Sequence, residues 1–382
     1  MSTGLRYPPI ASPPCKIQSG CARELILSVV AQFEIHYSQF LDEHGEVVEP
    51  LPEFAREPQN LIPLYRWMVL MRAYDAKTIA LQRTGQIGTY ASMLGKEAIE
   101  AGVGSAMAKN DVFLMTYREN GVQMMRGVTM KELFIYWGGD ERGSDFAVPR
   151  GDFPICITIA AHVTHAVGVA YAMKLRREPR VAVCALGDGA TSKGDFHEGL
   201  NAAGIWQLPA VFVVTNNQWA ISVPRRIQTA TQTLAQKAIA AGIEGVQIDG
   251  NDVIAVRHAM DQALAKARAC GGPTLIEAVT YRLSDHTTAD DATRYRSADE
   301  VAAAWKLEPV LRLRTYIMGC GAWDKAMEEQ LLRECNERVQ AAVQAYVDTP
   351  PPSPEQMFDH LYATLPAALA KQRAAALESS DD

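Results

Sequence analysis

Two hydrophobic patterns alternate along the middle of the chain, and their order predicts an α/β fold. Residues 181–186 and 210–214 are apolar at every position, which is typical of strands buried on both faces. Around these runs the apolar residues recur at helical spacing. Apolar strands separated by helices predict a mostly parallel sheet with helices on both faces.

The other elements follow from the same two patterns. We predict further strands at residues 111–115, 246–248 and 274–280. We predict helices at residues 61–84, 95–107, 122–134, 166–175, 196–205, 237–241 and 253–269. Residues 301–345 are predicted to form a helical C-terminal region, and a last helix is predicted at about 355–375.

Prolines indicate where the α/β domain begins and ends. Residues 1–24 contain four prolines and few aliphatic side chains, and further prolines follow within residues 50–60. We therefore expect an N-terminal arm and connector at residues 1–60, a single α/β domain at residues 61–348, and a C-terminal tail with one helix at residues 349–382.

The charge balance excludes several classes of partner. The 382 residues include 37 basic and 44 acidic side chains, for a formal net charge of -7, which argues against nucleic acid and against a membrane surface as partners. We see no apolar run near the ~20 residues of a membrane-spanning helix. The proline-rich start is unlike a secretory or mitochondrial leader, so we expect a cytoplasmic protein.

The seven cysteines are scattered singly along the sequence. None forms a C-x-x-C pair, which argues against a zinc ribbon or a thioredoxin-type redox motif. We expect them to be unpaired and to pack as small buried hydrophobic side chains in a reducing compartment.

Asp188 and Asn217 carry the most informative spacing in the sequence. Asp188 follows one apolar strand, and Asn217 follows the next strand 29 residues later. Because one strand-helix-strand unit takes about 30 residues, both side chains are expected at the same edge of the sheet, where ligands bind in open parallel sheets. A carboxylate and an amide oxygen suit Mg²⁺, which usually completes its shell with water and phosphate oxygens. The alternative interpretation is a simple Gly-Asp-Gly turn and an unrelated strand end.

The glycines beside Asp188 strengthen the phosphate interpretation. Gly187 and Gly189 would let a diphosphate approach the backbone closely. A helix beginning near Ser192 would direct its positive end at that group.

A longer stretch of sequence resembles a known family. Gly187-Asp188-Gly189 followed by Asn216-Asn217 resembles the signature of thiamine-diphosphate enzymes. The surrounding text, LGDGATSKGDFHEGLNAAGIWQLPAVFVVTNNQWAISVP, is similar to the alpha subunit of the decarboxylating component of 2-oxo acid dehydrogenase complexes. The resemblance runs from about residue 60 to residue 345 and implies thiamine diphosphate and Mg²⁺ as cofactors.

The resemblance assigns roles to individual residues. It implies that Mg²⁺ is bound by Asp188, by the side chain of Asn217 and by the main-chain carbonyl of Trp219, where relatives usually have Tyr. The residues implied to contact the diphosphate are Gly189, Ala190, and the Tyr117-Arg118 pair of TYREN. The residues implied to hold the aminopyrimidine ring through their backbone are Ile157 and Ile159 of ICITIAAH, and Ile159 would also wedge the cofactor into a bent conformation.

His286 is the candidate catalytic residue. In YRLSDHTTADDATRYRS it matches a histidine that lies beside the diphosphate and helps to transfer the acyl group to lipoamide. We expect Asp290 and Asp291 to order this loop by pairing with Arg294 or Arg296 rather than to bind a second metal.

Two further positions depart from the pattern of the relatives. Thr287 stands where eukaryotic relatives carry a regulatory phosphorylated serine, so we do not expect that regulation. His162 stands where relatives commonly have Gln. It either faces the active site or hydrogen-bonds behind it, whereas we expect His165 to be structural.

The matching sequence contains only the half of the site that binds the diphosphate. In the family a separate beta subunit supplies the glutamate that the pyrimidine ring needs. The resemblance therefore implies an α2β2 heterotetramer, inactive as the single chain, that docks to a lipoyl-bearing acyltransferase core. The implied substrate is a small 2-oxo acid, with pyruvate favoured. The alternatives are a branched-chain 2-oxo acid, acetoin, or a scaffold subunit that binds Mg-diphosphate but has lost catalysis.

Overall fold

The computed structural model describes residues 28–359 and 361–378. The arm predicted at residues 1–24, with Cys15 and Cys21, lies outside these residues. Residues 28–34 contain neither helix nor strand, and the described residues from Ile35 onward form one compact unit.

Six parallel strands form the main sheet of this unit. The eight described strands are β1 (Tyr37–Ser38), β2 (Val112–Leu114), β3 (Ala182–Gly187), β4 (Ala210–Asn216), β5 (Trp219–Ala220), β6 (Val223–Pro224), β7 (Glu244–Asp249) and β8 (Thr274–Val279). The main sheet has the order β1-β7-β8-β4-β3-β2, and all its neighbouring strands are parallel. Strands β5 and β6 form a separate antiparallel pair.

Fourteen described α-helices accompany the strands. They are α1 (Ile62–Arg83), α2 (Glu97–Ala106), α3 (Asn120–Arg126), α4 (Met130–Trp137), α5 (Ala161–Arg176), α6 (Gly194–Ile205), α7 (Arg225–Gln228), α8 (Lys237–Ala240), α9 (Val253–Arg268), α10 (Ala298–Trp305), α11 (Pro309–Gly319), α12 (Lys325–Val347), α13 (Gln356–Asp359) and α14 (Ala367–Glu378). In the described part of the chain, none of them is long and apolar enough to cross a membrane.

The sheet is buried on both faces, as the apolar runs predict. Along β3, Val183 and Ala185 belong to one hydrophobic cluster, which also contains residues of α1, α2 and α9. Their neighbours Cys184 and Leu186 belong to a second cluster with residues of α5 and α6. Alternate residues of a strand point to opposite faces, so helices cover the sheet on both sides. The predicted fold class is confirmed.

Several boundaries differ from the predictions for local reasons. The pattern predicted at 122–134 is two helices, because Gly127 with φ +113° ends α3 and the Thr129 capping box begins α4. The last predicted helix is likewise divided into α13 and α14, with Pro366 directly before α14. Strand β1 was not predicted, since its two residues carry no apolar pattern.

For the cysteines in the described residues, the predicted burial is confirmed only in part. The five cysteines of the described residues are all free. Cys184 and Cys335 are buried, as expected, whereas Cys270 and Cys320 are exposed. Both exposed cysteines lie at the C-terminal ends of helices, Cys270 after α9 and Cys320 after α11.

Candidate active site

A cavity of ≈ 230 Å³ lies at the carboxyl ends of β3 and β4. The parallel register aligns Leu186 with Val214 and Gly187 with Thr215, so the turns that follow the two strands leave the sheet at the same edge. The residues that line the cavity are Lys96, Thr116, Tyr117, Arg118, Glu119, Ile159, Ala160, Gly187, Asp188, Gly189, Ala190, Thr215, Asn217, Trp219, Ala220, Ile221 and His286.

Asp188 brings a buried carboxylate to the cavity. It begins a short 3₁₀ helix, Asp188–Ser192, and only 2% of its surface is exposed. Its Oδ1 accepts the Gly189 backbone N–H at 2.8 Å, whereas its Oδ2 has no hydrogen-bond partner among the described residues. Burial raises the pKa of Asp188 to about 6, against the opposing effects of the Gly189 N–H and the Arg282 charge.

The helix expected near Ser192 starts later than predicted. The residues after Asp188 form the 3₁₀ helix, and α6 begins only at Gly194. The backbone N–H groups nearest the cavity therefore belong to the 3₁₀ turn at Gly189 and Ala190 rather than to the first turn of α6.

Asn217 and Trp219 lie opposite Asp188 on the turn after β4. Asn217 Oδ1 accepts the Trp219 backbone N–H at 3.2 Å, which fixes the side-chain amide at the cavity wall. The Trp219 indole N–H lies 3.2 Å from both Tyr281 Oη and Glu300 Oε1, and the ring packs on Tyr295. The indole is thus held by the protein itself, while the Trp219 main-chain carbonyl lies 3.5 Å from an Arg282 nitrogen.

The donor set at this edge fits a hard divalent cation. A buried carboxylate oxygen without a partner, beside an amide and a main-chain carbonyl, is the combination of oxygen ligands that such ions prefer. A Cβ added at Gly187 would meet nothing within 4 Å in the described structure, so the absence of a side chain there leaves space inside the cavity. The described residues contain no group of three or more His, Cys, Asp or Glu side chains suited to a metal.

Arg118 brings a positive charge to the cavity, and the Tyr117 ring lies beside it. Arg118 is buried, with its guanidinium donating to the carbonyl oxygens of Ser92 and His286, the latter at 2.8 Å. The guanidinium also stacks over the Tyr117 ring at 5.5 Å. Because these acceptors are neutral, the Arg118 charge remains available to an anion in the cavity.

His286 is a neutral histidine with a defined tautomer. Its Nδ1 lies 3.3 Å from an Arg118 nitrogen and 3.5 Å from an Arg282 nitrogen, and arginine can only donate. The Nδ1 atom must therefore accept, and the ring proton lies on Nε2. Burial and the charges of Arg118 and Arg282 lower the pKa of His286 to about 4.

The loop after β8 is ordered by other contacts than those predicted. Asp290 accepts hydrogen bonds from the His286 backbone N–H and from the Tyr295 hydroxyl. Asp291 caps the next short helix through Thr293. The described contacts thus confirm the loop-ordering role, but the expected pairing with Arg294 or Arg296 is wrong. Arg296 instead donates to main-chain carbonyls of the same loop, since these oxygens lie closer to its guanidinium.

Ile157 and Ile159 differ in their relation to the cavity. Ile159 lines it and is 40% exposed, whereas Ile157 is 58% exposed and lies outside the lining. Between them and α5 the chain turns at Ala160, whose φ of +66° is unusual for a residue with a side chain. Both isoleucines therefore present apolar surface to the outside of this chain.

His162 lies behind the cavity wall rather than in it. It is buried, and its Nε2 donates to the Ala185 carbonyl at 2.7 Å. Its Nδ1 has no partner in residues 28–359 and 361–378. Of the two alternatives for His162, the structure supports the hydrogen bond behind the site. His165 is exposed and lies against Phe153.

Several polar residues of this region were not predicted from the sequence. Lys96, Thr116 and Glu119 line the cavity, and Arg282 contacts His286. Arg282 follows β8 at the same sheet edge, so its position after an apolar strand was a usable signal. Lys96 precedes a helix and has no comparable signal.

Comparison with known proteins decides the family. The model of the family described as dehydrogenase E1 component matches residues 65–355. The chain belongs to the dehydrogenase E1 component family. This family depends on thiamine diphosphate, and the cavity fits that group, since Arg118 and Asp188, whose Oδ2 has no partner among the described residues, both line it.

The chain is similar in sequence to several named proteins over most of its length. It is 37% identical to the pyruvate dehydrogenase E1 component subunit alpha of Mycoplasma pneumoniae, over 88% of this chain and 94% of the relative. It is 38% identical to the protein of the same name from Staphylococcus aureus, over 89% and 92%. It is 42% identical to the 3-methyl-2-oxobutanoate dehydrogenase subunit alpha of Mycobacterium tuberculosis, over 81% and 84%.

Proposed function

We propose that the chain is the alpha subunit of a pyruvate dehydrogenase, which decarboxylates pyruvate oxidatively and acetylates the lipoyl group of an acyltransferase. The observation that carries this proposal is one cavity lined both by buried Asp188, whose Oδ2 has no partner among the described residues, and by Arg118, in a chain of the E1 family. A cation-binding oxygen and an anion-binding guanidinium in one small cavity suit a metal-bound diphosphate.

The cofactor would be held by residues of three turns. Asp188, the Asn217 side chain and the Trp219 carbonyl would bind Mg²⁺. The groups proposed for the diphosphate are the backbone at Gly189 and Ala190, the Arg118 guanidinium and Tyr117. The backbone at Ile159 would contact the pyrimidine ring from the rim, with Ile157 further out.

His286 is the proposed catalytic residue of this chain. Bound thiamine diphosphate supplies the carbanion chemistry that releases CO₂ from a 2-oxo acid. Arg118 and Arg282 keep the imidazole neutral, so its Nε2–H remains available to the reacting group at neutral pH. A neutral ring whose Nε2–H donates one hydrogen bond can stabilise negative charge on the reacting group during acyl transfer.

A second subunit is needed to complete the site. The described cavity residues include two carboxylates. Asp188 is assigned to the metal, and Glu119 accepts hydrogen bonds from Lys96 and Thr116. The pyrimidine ring therefore needs a carboxylate from outside these residues. The exposed apolar side chains of Ile159 and Ile221, 40% and 57% exposed at the cavity, mark the side on which a beta subunit would close it.

The proposed assembly rests on the family resemblance. Two copies of each subunit would form an α2β2 heterotetramer, docked to a lipoyl-bearing acyltransferase core. The names of the Mycoplasma and Staphylococcus relatives support pyruvate as the substrate. A branched-chain 2-oxo acid is the second candidate, because the 42% identical Mycobacterium relative is named for 3-methyl-2-oxobutanoate.

A substrate panel on the assembled protein tests the proposal. The chain is co-expressed with its beta-type subunit and supplied with Mg²⁺, thiamine diphosphate and either pyruvate or 3-methyl-2-oxobutanoate, and dye reduction is measured. We expect faster turnover with pyruvate. Faster turnover with 3-methyl-2-oxobutanoate would assign the branched-chain function, and cofactor binding without turnover of either would indicate a scaffold subunit.

The Asp188→Asn variant is the matched control in this panel. It keeps the size of the side chain but removes the charge that would bind Mg²⁺, so we expect cofactor binding and turnover to be lost. The apo variant should remain folded, since burial already disfavours the ionised carboxylate. Unchanged cofactor affinity would remove Asp188 from the metal site.

A further inference from the structure

A buried cluster of charged side chains contacts the turn that carries Arg118. It consists of Lys96, Glu100 and Glu119, and at most 4% of each residue is exposed. Lys96 Nζ donates to Glu119 Oε1 at 2.6 Å and lies 2.8 Å from Glu100 Oε1. Lys96 and Glu100 thus form an ion pair, and Glu100 Oε1 accepts no hydrogen bond from the described residues. Since Lys96 contacts both carboxylates, it is the centre of the cluster.

Each carboxylate holds one end of the segment 116–122. Glu119 Oε2 accepts hydrogen bonds from the Thr116 backbone N–H at 2.7 Å and from the Thr116 hydroxyl. Glu100 Oε2 accepts the Val122 backbone N–H at 2.8 Å. The Thr116 hydroxyl in turn accepts the backbone N–H of Arg118 at 3.2 Å. The backbone on both sides of Arg118 is therefore fixed by oxygens that Lys96 neutralises.

Helix α3 also packs closely on α2 at this place. A Cβ added at Gly121 would lie 2.7 Å from Glu100 Cβ, so the first turn of α3 has no room to move toward α2. The cluster thus connects two packed helices through the turn between β2 and α3, while the Lys96 ammonium itself is held by Glu119 and Glu100.

We infer that Lys96 is a positioning residue, which sets the place of Arg118 for the cofactor diphosphate by neutralising the two carboxylates that clamp its turn. The inference rests on the proposed function, because it concerns affinity for the diphosphate. Without Lys96 two buried carboxylates face each other, and one of them must take a proton or move. Burial already raises the pKa of Glu100 to about 7. A displaced Glu119 would release the Thr116 and Arg118 backbone, and the guanidinium would lose its orientation.

The affinity for thiamine diphosphate measures this positioning. The full chain, assembled with its beta-type subunit, is titrated with thiamine diphosphate in Mg²⁺ by calorimetry, for the wild type and Lys96→Met. We expect the variant to bind roughly 10–100-fold more weakly, the range typical for groups that orient a ligand indirectly. At saturating cofactor its kcat should return close to the wild-type value. A role in folding alone would lower the melting temperature without this selective loss of affinity.

Two further variants complete the design. Lys109→Met makes the same substitution at an exposed lysine before β2 and should leave the affinity unchanged. The double variant Lys96→Gln/Glu119→Gln removes both charges but keeps an acceptor for Thr116, so its affinity should lie between those of Lys96→Met and the wild type. It also provides the comparison should Lys96→Met fail to fold.

The outcomes separate the inference from the proposed function. If Lys96→Met or the double variant binds thiamine diphosphate as tightly as the wild type, the positioning role is overturned and the proposed function stands. If Lys109→Met loses as much affinity as Lys96→Met, the positioning role is overturned as well. A wild-type assembly that binds no thiamine diphosphate overturns the proposed function, and this inference with it.

Discussion

At the scale of single residues, the protonation of His286 follows from the groups around it. Arg118 and Arg282 face its Nδ1, Tyr117 packs edge-on against the ring, and the nearby Asp290 carboxylate accepts the backbone N–H of His286. Burial and the two cations favour the neutral form and lower the pKa to about 4. Since the pKa of an unfolded histidine is about 6.5, the folded state disfavours the proton.

The first prediction concerns the pH dependence of this group. The stability that neutral His286 contributes is present above about pH 6.5 and is lost as the pH falls toward about 4. An NMR titration of the His286 ring should therefore place its midpoint near pH 4 in the cofactor-free chain. Adding Mg²⁺ and pyrophosphate should raise this midpoint, because the anion offsets the arginine charges. A midpoint near 6.5 that pyrophosphate does not move would contradict the described environment.

The residues of the site differ in how far the sequence could predict them. Asp188 and Asn217 could be predicted to share one edge, because each follows an apolar strand and parallel strands end together. Lys96 could not, because its contact with Glu119 spans 23 residues between a helix start and a turn. A lysine near glutamates is usually a solvated surface residue, and only the packing of α2 on α3 shows that this one is buried.

At the scale of elements, the contact between α5 and α6 places the turn after β3. Gly199 of α6 lies against α5, and a Cβ added there would be 2.7 Å from Val163 Cγ1. Gly168 of α5 has open space instead, with nothing within 4 Å of the same position in the described structure. The two glycines thus differ in what a methyl group would meet, although both are inside helices.

The second prediction uses this pair as variant and control. Gly199→Ala should destabilise the chain by about 1–3 kcal/mol through overpacking of the helix pair. Gly168→Ala should stabilise it by roughly 0.5–1 kcal/mol, since alanine favours a helix interior. Denaturant unfolding of both variants measures the difference. Equal stability of the two variants would show that α5 and α6 are not packed as described.

Element prediction succeeded where the pattern was local and strong. The apolar run at 210–214 and the helical spacing at 253–269 lie within β4 and almost wholly within α9. The pattern at 122–134 failed to show the break between α3 and α4, because Gly127 takes a left-handed conformation that the spacing of apolar residues does not indicate. Strand β1 needs β7 as its partner and has no pattern of its own.

At the scale of the whole molecule, the proposed function gives this chain one part of an active site. The cavity is lined by the residues proposed to bind the metal and the diphosphate, and the proposal gives both of its described carboxylates a role. The sequence resemblance implied this division, and the structure adds the exposed isoleucines on the side from which a partner would complete the site. The fold class follows from the hydrophobic pattern, whereas the proposed need for a partner rests on the family resemblance and on the two carboxylates of the described cavity.

Release of labelled CO₂ from pyruvate tests the central claim most directly. The full chain is assayed alone and after assembly with its beta-type subunit, with Mg²⁺, thiamine diphosphate and a dye as electron acceptor at saturation in both cases. We expect turnover in the assembly and none in the chain alone. Turnover by the purified chain alone at the rate of the assembly would contradict it.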